Sequence, residues 1–316
     1  MTSQRIENNK MKTARGPLLS IVLILGVAIL SGCSSNMNFS GQVLDAKQNN
    51  VSPPSNTTSG TPVITPPSTS TPVPTCQLQS VTVPVKILFV VDTSGSNNIS
   101  TTNNGTLSCG LFQTCAPPTD PDKSLRGGSI ANFFSQYSAK TNFSWGFEVF
   151  SNGGGQAYIT SGSKQSPSFS NASAMQSAIN QFNNESDGGD TPYIAALSMA
   201  QSTLASDPGI NSTAVNAPLY YVIFLSDGYP TDAVNSDGTV NQAQVDKSIS
   251  QLVSLAPGRV FVSTVYYGTI NDPVASGLLQ SMSQVGHGQF LNVDTSTTST
   301  ININDLITVP SSQCGN

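Results

Sequence analysis

Apolar runs and amphipathic stretches alternate along the chain from residue 83 onward. Ile87–Val91 and Leu219–Leu225 are continuously apolar. A strand apolar on both sides suits the centre of a parallel sheet, where both faces are covered. Val83–Val91 is therefore the first predicted strand, and Phe143–Phe150, Gln156–Thr160, Leu219–Leu225, Arg259–Tyr266 and Gln289–Val293 follow. The turn Asn152-Gly153-Gly154-Gly155 joins the second and third as a hairpin. Helical patterns lie between. One starts near Pro121–Ser124 and runs to Ala139, weakened by Gly127-Gly128. Ala172–Asn183 carries Met175, Ala178, Ile179 and Phe182 on one face. Thr191 is the predicted N-cap of a helix with Pro192 at its first position and a stripe of Tyr193, Leu197, Ala200 and Leu204. Asn241–Leu255 and Asp272–Gln284 are helical, and Ile303–Ile307 is a short closing helix. About six strands with helices on both faces make one α/β domain spanning 76–316.

The first 75 residues follow another pattern. Residues 1–32 have the secretory layout, a basic start and then the apolar stretch Pro17–Leu30. That stretch is short for a spanning helix, which needs about 20 residues. Leu30-Ser31-Gly32-Cys33 resembles a bacterial lipobox, which implies lipidation of Cys33 and an exported chain anchored in the cell envelope. Ser34 then favours the outer membrane if the cell has two membranes. Residues 33–75 are the lipidated Cys and a Ser/Thr/Pro-rich linker with too little apolar content to build a core. Such a tether reaches about 35 Å as a flexible coil and about 130 Å as polyproline II.

Charge narrows the partners. The leader holds Arg5, Lys10, Lys12 and Arg15 against Glu7, which leaves 8 basic and 16 acidic residues in the rest of the chain. That balance argues against nucleic acid, which is bound largely through Lys and Arg on phosphates. Cys76, Cys109, Cys115 and Cys314 remain after Cys33. An even number in an exported chain suggests disulfides, with three possible connectivities. Cys76–Cys314, closing the domain where its ends meet, and Cys109–Cys115, closing a local loop, are the favoured pairs.

Two of the apolar runs end in carboxylates. Ile87–Val91 stops at Asp92, followed by Thr93-Ser94-Gly95-Ser96, and Leu219–Leu225 ends in Ser226-Asp227-Gly228. The carboxyl ends of strands are where open α/β sheets bind ligands. Gly95 allows a tight turn that brings the hydroxyls of Ser94 and Ser96 together. A hard divalent cation such as Mg²⁺ prefers oxygen ligands in near-octahedral geometry and keeps several waters. Neutral hydroxyls bind it without cancelling its charge, so it stays electrophilic toward an outside carboxylate.

The pattern resembles the von Willebrand factor A (vWA) domain with its metal-ion-dependent adhesion site. That family uses D-x-S-x-S, a distant Thr, and a distant Asp in a T-D-G or S-D-G turn. Here these are Asp92, Ser94 and Ser96, then Thr191 in GGDTPYIAAL, then Asp227 in YYVIFLSDGYP, in the family's order. The resemblance covers roughly Val81 to Val309. It implies a vWA/Rossmann-like, doubly wound, mostly parallel six-stranded sheet flanked by helices, with one antiparallel edge strand. It implies that Ser94, Ser96 and Thr191 bind Mg²⁺ or Mn²⁺ directly, with Ca²⁺ a third candidate, and that Asp92 and Asp227 act on the metal and its waters. A partner protein's Asp or Glu would complete the coordination. Asp187 and Asp190 add negative potential nearby, with Asp190 an outer-shell candidate. In the family a helix follows the first metal turn at once, whereas here an insertion, about 97–123, intervenes.

Catalytic chemistry is sparse. Beyond the leader there is one His, His287, between glycines, and only two Glu, Glu148 and Glu185, with nothing to pair them as acid and base. No G-x-S-x-G turn occurs, and Ser94 has no evident base. The chain therefore reads as a binding module and not an enzyme. One alternative is a scaffold of an envelope complex with a non-essential metal turn. The enzymatic rival is an Mg²⁺-dependent phosphatase, whose motif resembles Asp-x-Asp, but the third position here is Ser94.

Overall fold

The computed structural model describes residues 82–98, 101–102, 115–151, 154–156, 168–268 and 272–308. The chain divides into two units, Met1–Thr69 and Ser70–Asn316, and the described residues all belong to the second. The leader, Cys33, the linker and the side chains of both expected disulfides lie outside them.

In chain order the elements are β1 (Val85–Asp92), a 3-10 turn (Gly95–Asn97), β2 (Thr101–Thr102), β3 (Cys115–Ala116), α1 (Arg126–Tyr137), β4 (Phe143–Ser151), β5 (Gly154–Gln156), α2 (Ala172–Asn184), α3 (Tyr193–Ala205), β6 (Leu219–Ser226), α4 (Gln242–Val253), β7 (Val260–Gly268), α5 (Pro273–Val285), β8 (His287–Asp294) and a 3-10 helix (Ile303–Leu306). The main sheet runs β5-β4-β1-β6-β7-β8. Strands β4, β1, β6, β7 and β8 are parallel, and helices cover both faces. β1 pairs on both sides, and its side chains alternate between two cores. Ile87, Phe89 and Val91 pack with Phe133 of α1 and Ile179 and Phe182 of α2. Leu88 and Val90 pack with Leu197 of α3, Ile249 of α4 and Leu279 of α5. This is why the run is apolar without a break.

Five strands form the parallel sheet, and the antiparallel edge is β5, three described residues paired with the end of β4. Of the predicted strand Gln156–Thr160, only Gln156 lies within the described residues. Gly154 and Gly155 belong to that strand and not to the turn. In the insertion, β2 and β3 pair as a two-stranded antiparallel ribbon. Helix α1 starts later than its sequence suggests, because Asp120 accepts hydrogen bonds from the Leu125 and Arg126 amides at 3.0 Å each. Gly127 weakens the helical pattern for a packing reason: a Cβ there would sit 2.2 Å from Asn183 Oδ1 on α2.

One residue on β4 conflicts with its surroundings. Glu148 is fully buried opposite Val90, on the strand face shared with Phe150, and neither carboxylate oxygen has a hydrogen-bond partner among the described residues. Burial pushes its acidity well above the usual carboxylate range. The folded chain therefore keeps this proton while the unfolded chain releases it above about pH 4.3. Stability falls as pH rises from there until the folded group also ionises. Replacing the acid by Glu148→Met is expected to stabilise the fold by about 1–3 kcal/mol at low pH, the usual cost of an unsatisfied buried polar group. The gain should be larger at pH 8 than at pH 5, as read by urea unfolding. A variant no more stable than wild type at pH 8 would contradict this.

Candidate metal centre

The parallel register brings two strand ends to one level. Val91 pairs with Leu225, so Asp92 and Ser226 leave adjacent strands side by side. Asp92 Oδ2 accepts from Ser226 Oγ at 2.5 Å, and Asp92 Oδ1 accepts from the Ser94 amide at 2.7 Å. The turn that follows is fixed to its neighbours by backbone bonds: Thr93 N–H to Phe150 O at 3.0 Å, Gly95 N–H to Gly189 O at 3.0 Å, and Gly188 N–H to Thr93 O at 2.8 Å. Ser94 Oγ and Ser96 Oγ stand 3.1 Å apart, and Ser96 Oγ donates to Asp227 Oδ1 at 2.8 Å. A Cβ added to Gly228 would lie 3.9 Å from Ser96 Oγ and 4.0 Å from Thr191 Oγ1. All five predicted residues, Asp92, Ser94, Ser96, Thr191 and Asp227, thus come to one place at the carboxyl edge of the sheet.

Thr191 does not cap its helix, contrary to the sequence expectation. Pro192 holds the N-cap position without a side-chain bond. The cap comes from Asp232, which accepts from Ile194 N–H at 3.1 Å and Ala195 N–H at 2.9 Å. A carboxylate offers two acceptors and a full negative charge to the positive end of the helix, which one hydroxyl cannot match. The Thr191 backbone is pinned to Thr231 in both directions, at 3.2 and 2.9 Å. Its side chain is buried, and its hydroxyl makes no hydrogen bond among the described residues. Asp190 is exposed, and its side chain makes no hydrogen bond among the described residues. Asp187 is buried and has another role.

That role is to meet Arg126. The guanidinium is fully buried and bonds Asp120 Oδ2 through Nε at 2.8 Å and Asp187 Oδ2 through Nη2 at 2.6 Å, while Nη1 donates to the Asp92 carbonyl. Lys123 lies beside it, with its backbone in the left-handed region (φ 58°). Its ammonium donates to the carbonyls of Phe182 and Glu185 at 2.6 Å each. It also lies 3.1 Å from Asp187 Oδ1, an ion pair without hydrogen-bond geometry, since that oxygen has no hydrogen-bond partner.

The electrostatics are unbalanced. Asp92, Asp120, Asp187 and Asp227 are four buried carboxylates around two buried cations, Arg126 and Lys123. Burial, and then the charge of Asp227, push Asp92 up to about 7, against the opposing bonds from Ser226 and Ser94. Asp227 is also raised by burial, against bonds from Thr119 and Ser96. A divalent cation would bring the cluster to neutrality and draw both acids back toward ionisation. The donor set fits a hard cation. It is made of hydroxyls and carboxylates, and neighbouring ligands of an octahedral Mg²⁺ lie about 3 Å apart for metal–oxygen distances of about 2.1 Å, close to the spacing of the two serines. No group of three or more His, Cys, Asp or Glu that could hold a metal occurs among the described residues. The donors here are mainly hydroxyls.

Sequence reasoning missed Thr119, Arg126, Ser226 and Asp232. For Arg126 a signal existed. It falls on the helical stripe of Ile130, Phe133 and Tyr137, and a charge on an apolar face in a chain with 9% charged residues marks a buried partner. Ser226 could have been read from its place before Asp227. Nothing local marks Asp232, which reaches a helix 38 residues earlier.

No protein-family model matches the chain, and no curated protein matches it. Similar solved structures include a mutant PilB minor pilin from Streptococcus sanguinis (16% identity, 68% of this chain and 59% of that chain, TM-score 0.42). Others are a von Willebrand factor type A protein from Catenulispora acidiphila (13%, 68% and 40%, 0.44) and the vWF domain of the type V pili tip protein Mfa5 from Porphyromonas gingivalis (12%, 69% and 92%, 0.45). The chain spans less than two thirds of the length of the first two.

Two substitutions test this geometry through stability. Arg126→Met leaves Asp120 and Asp187 buried without their main partner and is expected to cost about 3–5 kcal/mol. Asp232→Ala removes only a helix cap and should cost about 1 kcal/mol. Equal, small effects of both in urea unfolding would show that the Arg126 cluster does not hold the loops.

Proposed function

We propose that this chain is an exported, lipid-anchored, vWA-like binding module of the cell envelope that recognises a partner protein through a divalent cation. Ser94, Ser96 and Thr191 would hold Mg²⁺ or Mn²⁺, while Asp92 and Asp227 would stabilise the ion and its waters. The ion would supply a Lewis-acidic position for an Asp or Glu side chain of the partner. The observation that carries this reading is the Thr191 hydroxyl. It and the Ser96 hydroxyl face the same space beside Gly228, and Asp232 relieves it of the capping task that would otherwise explain it. The membrane attachment rests on the leader and on Cys33 in the lipobox-like stretch.

The residues of the chain would divide the work. Ser96 would point its O–H toward Asp227, which leaves its oxygen lone pairs free to face the metal. Ser226 and the Ser94 amide hold the Asp92 carboxylate in place. Gly228 keeps the space between Ser96 and Thr191 free of a side chain.

A scaffold role for an envelope complex is the second reading, and one observation favours it. Direct bonds such as Ser96 to Asp227 and Ser226 to Asp92 already join the loops without a metal. The metal would then stabilise the fold without choosing the partner.

Calorimetric titration of Mg²⁺, Mn²⁺ and Ca²⁺ into the chelator-treated full chain separates these readings when Asp92→Ala and Thr191→Val are run beside it. The expected result is one-site binding to the wild type, lost in Asp92→Ala and weakened in Thr191→Val. The thermal midpoint should rise with Mg²⁺, by the equivalent of about 2.7 kcal/mol at one hundred times the dissociation constant. Retained, chelator-insensitive partner binding by Asp92→Ala would sink the metal-mediated mechanism and leave the scaffold.

A further inference from the structure

The insertion between the first metal turn and α1 returns through Thr119 and Asp120, and this return runs alongside the turn itself. Thr119 N–H donates to Ser96 O at 3.3 Å, and Asp120 N–H donates to Asn97 O at 3.2 Å. The Thr119 hydroxyl donates to Asp227 Oδ2 at 2.5 Å. The other oxygen, Oδ1, takes the Ser96 hydroxyl. Each oxygen of this carboxylate therefore has its own hydroxyl donor, one from the metal turn and one from the insertion.

From this geometry we infer that Thr119 is a positioning residue of the metal centre, resting on the metal-binding reading above. A carboxylate held by one bond can rotate about its Cβ–Cγ bond. Bonds to both oxygens fix its plane. Fixing Asp227 also fixes the direction in which the Ser96 O–H points, and so the direction of the Ser96 lone pairs. Partners that orient a metal's ligands in this way typically contribute about 10–100-fold to metal affinity. Thr119 is itself held firmly. The next residue, Asp120, is clamped by Arg126 Nε and by the amides at the start of α1. The hydroxyl also lies 3.4 Å from both Ser96 O and Asn97 Oδ1. The Asn97 side chain is held in turn by Tyr267 OH at 2.9 Å. The return of the insertion is thus a fourth segment of the site, beside the two strand-end turns and the start of α3.

The test is Mg²⁺ and Mn²⁺ titration of the full chain as wild type, Thr119→Val and Thr119→Ser, with the thermal midpoint of each measured in chelator. Val keeps the shape and loses the donor, whereas Ser keeps the donor. The expected result is about 10-fold weaker metal binding in Thr119→Val, near-wild-type binding in Thr119→Ser, and midpoints in chelator within a few degrees of one another. Wild-type affinity in Thr119→Val would overturn the inference. So would a loss in Thr119→Val that is matched by a proportionate fall in its midpoint, because the residue would then be structural only. A wild-type chain that binds neither metal would instead overturn the metal-binding reading itself, and this inference with it.

Discussion

Arg126 is fully buried, and its guanidinium reaches three parts of the chain at once: Asp120 from the insertion, Asp187 from the loop before α3, and the carbonyl of Asp92 at the end of β1. Arginine suits this task because its donors lie in a fixed planar fork and its charge is never lost. Burying it costs desolvation, and only carboxylates on the same plane offset that cost. The consequence is geometric. Once Arg126 is satisfied, the two loops it joins to the first strand end have little freedom, and Thr119 is set in place beside Ser96.

The same cluster explains why the site suits a cation. The parallel pairing of β1 with β6 brings Asp92 and Asp227 to one edge of the sheet, the loop before α3 adds Asp187 and the insertion adds Asp120. Arg126 and Lys123 offset part of the negative charge. What remains is concentrated on Asp92 and Asp227, both displaced toward the protonated form, chiefly by burial. The surrounding groups are hydroxyls, which stabilise either a proton or a metal without adding charge. Glu148 is a useful contrast. It is equally buried, but apolar side chains of the second core share its strand face, and no donor among the described residues bonds it.

The legible parts of the sequence were those whose information is local. The apolar run of β1 announced a strand covered on both faces, and the D-x-S-x-S turn announced a cluster of carboxylate and hydroxyl oxygens because its spacing alone sets them together. The same holds for Ser226-Asp227-Gly228. Contacts set by tertiary approach were less legible. Gly127 lowers helix propensity but is needed where α1 meets Asn183 of α2. Asp232 caps a helix that lies 38 residues before it, so the local reading gave that task to Thr191. Thr119 sits in a stretch with no periodicity, and only the folded path of the insertion shows that it returns to the metal turn. The antiparallel edge on β4 was legible from the Gly-rich hairpin, and residues 157–160 of the predicted strand lie outside the described residues.

The central claim is that Ser94, Ser96 and Thr191 converge on one cation. Crystals of the chain soaked with Mn²⁺, with anomalous scattering recorded near the manganese edge, test it most directly. The account predicts a single strong peak bounded by these three hydroxyls, and its absence in Asp92→Ala crystals treated in the same way. A peak elsewhere on the surface, or none at saturating Mn²⁺ in wild-type crystals, would contradict it.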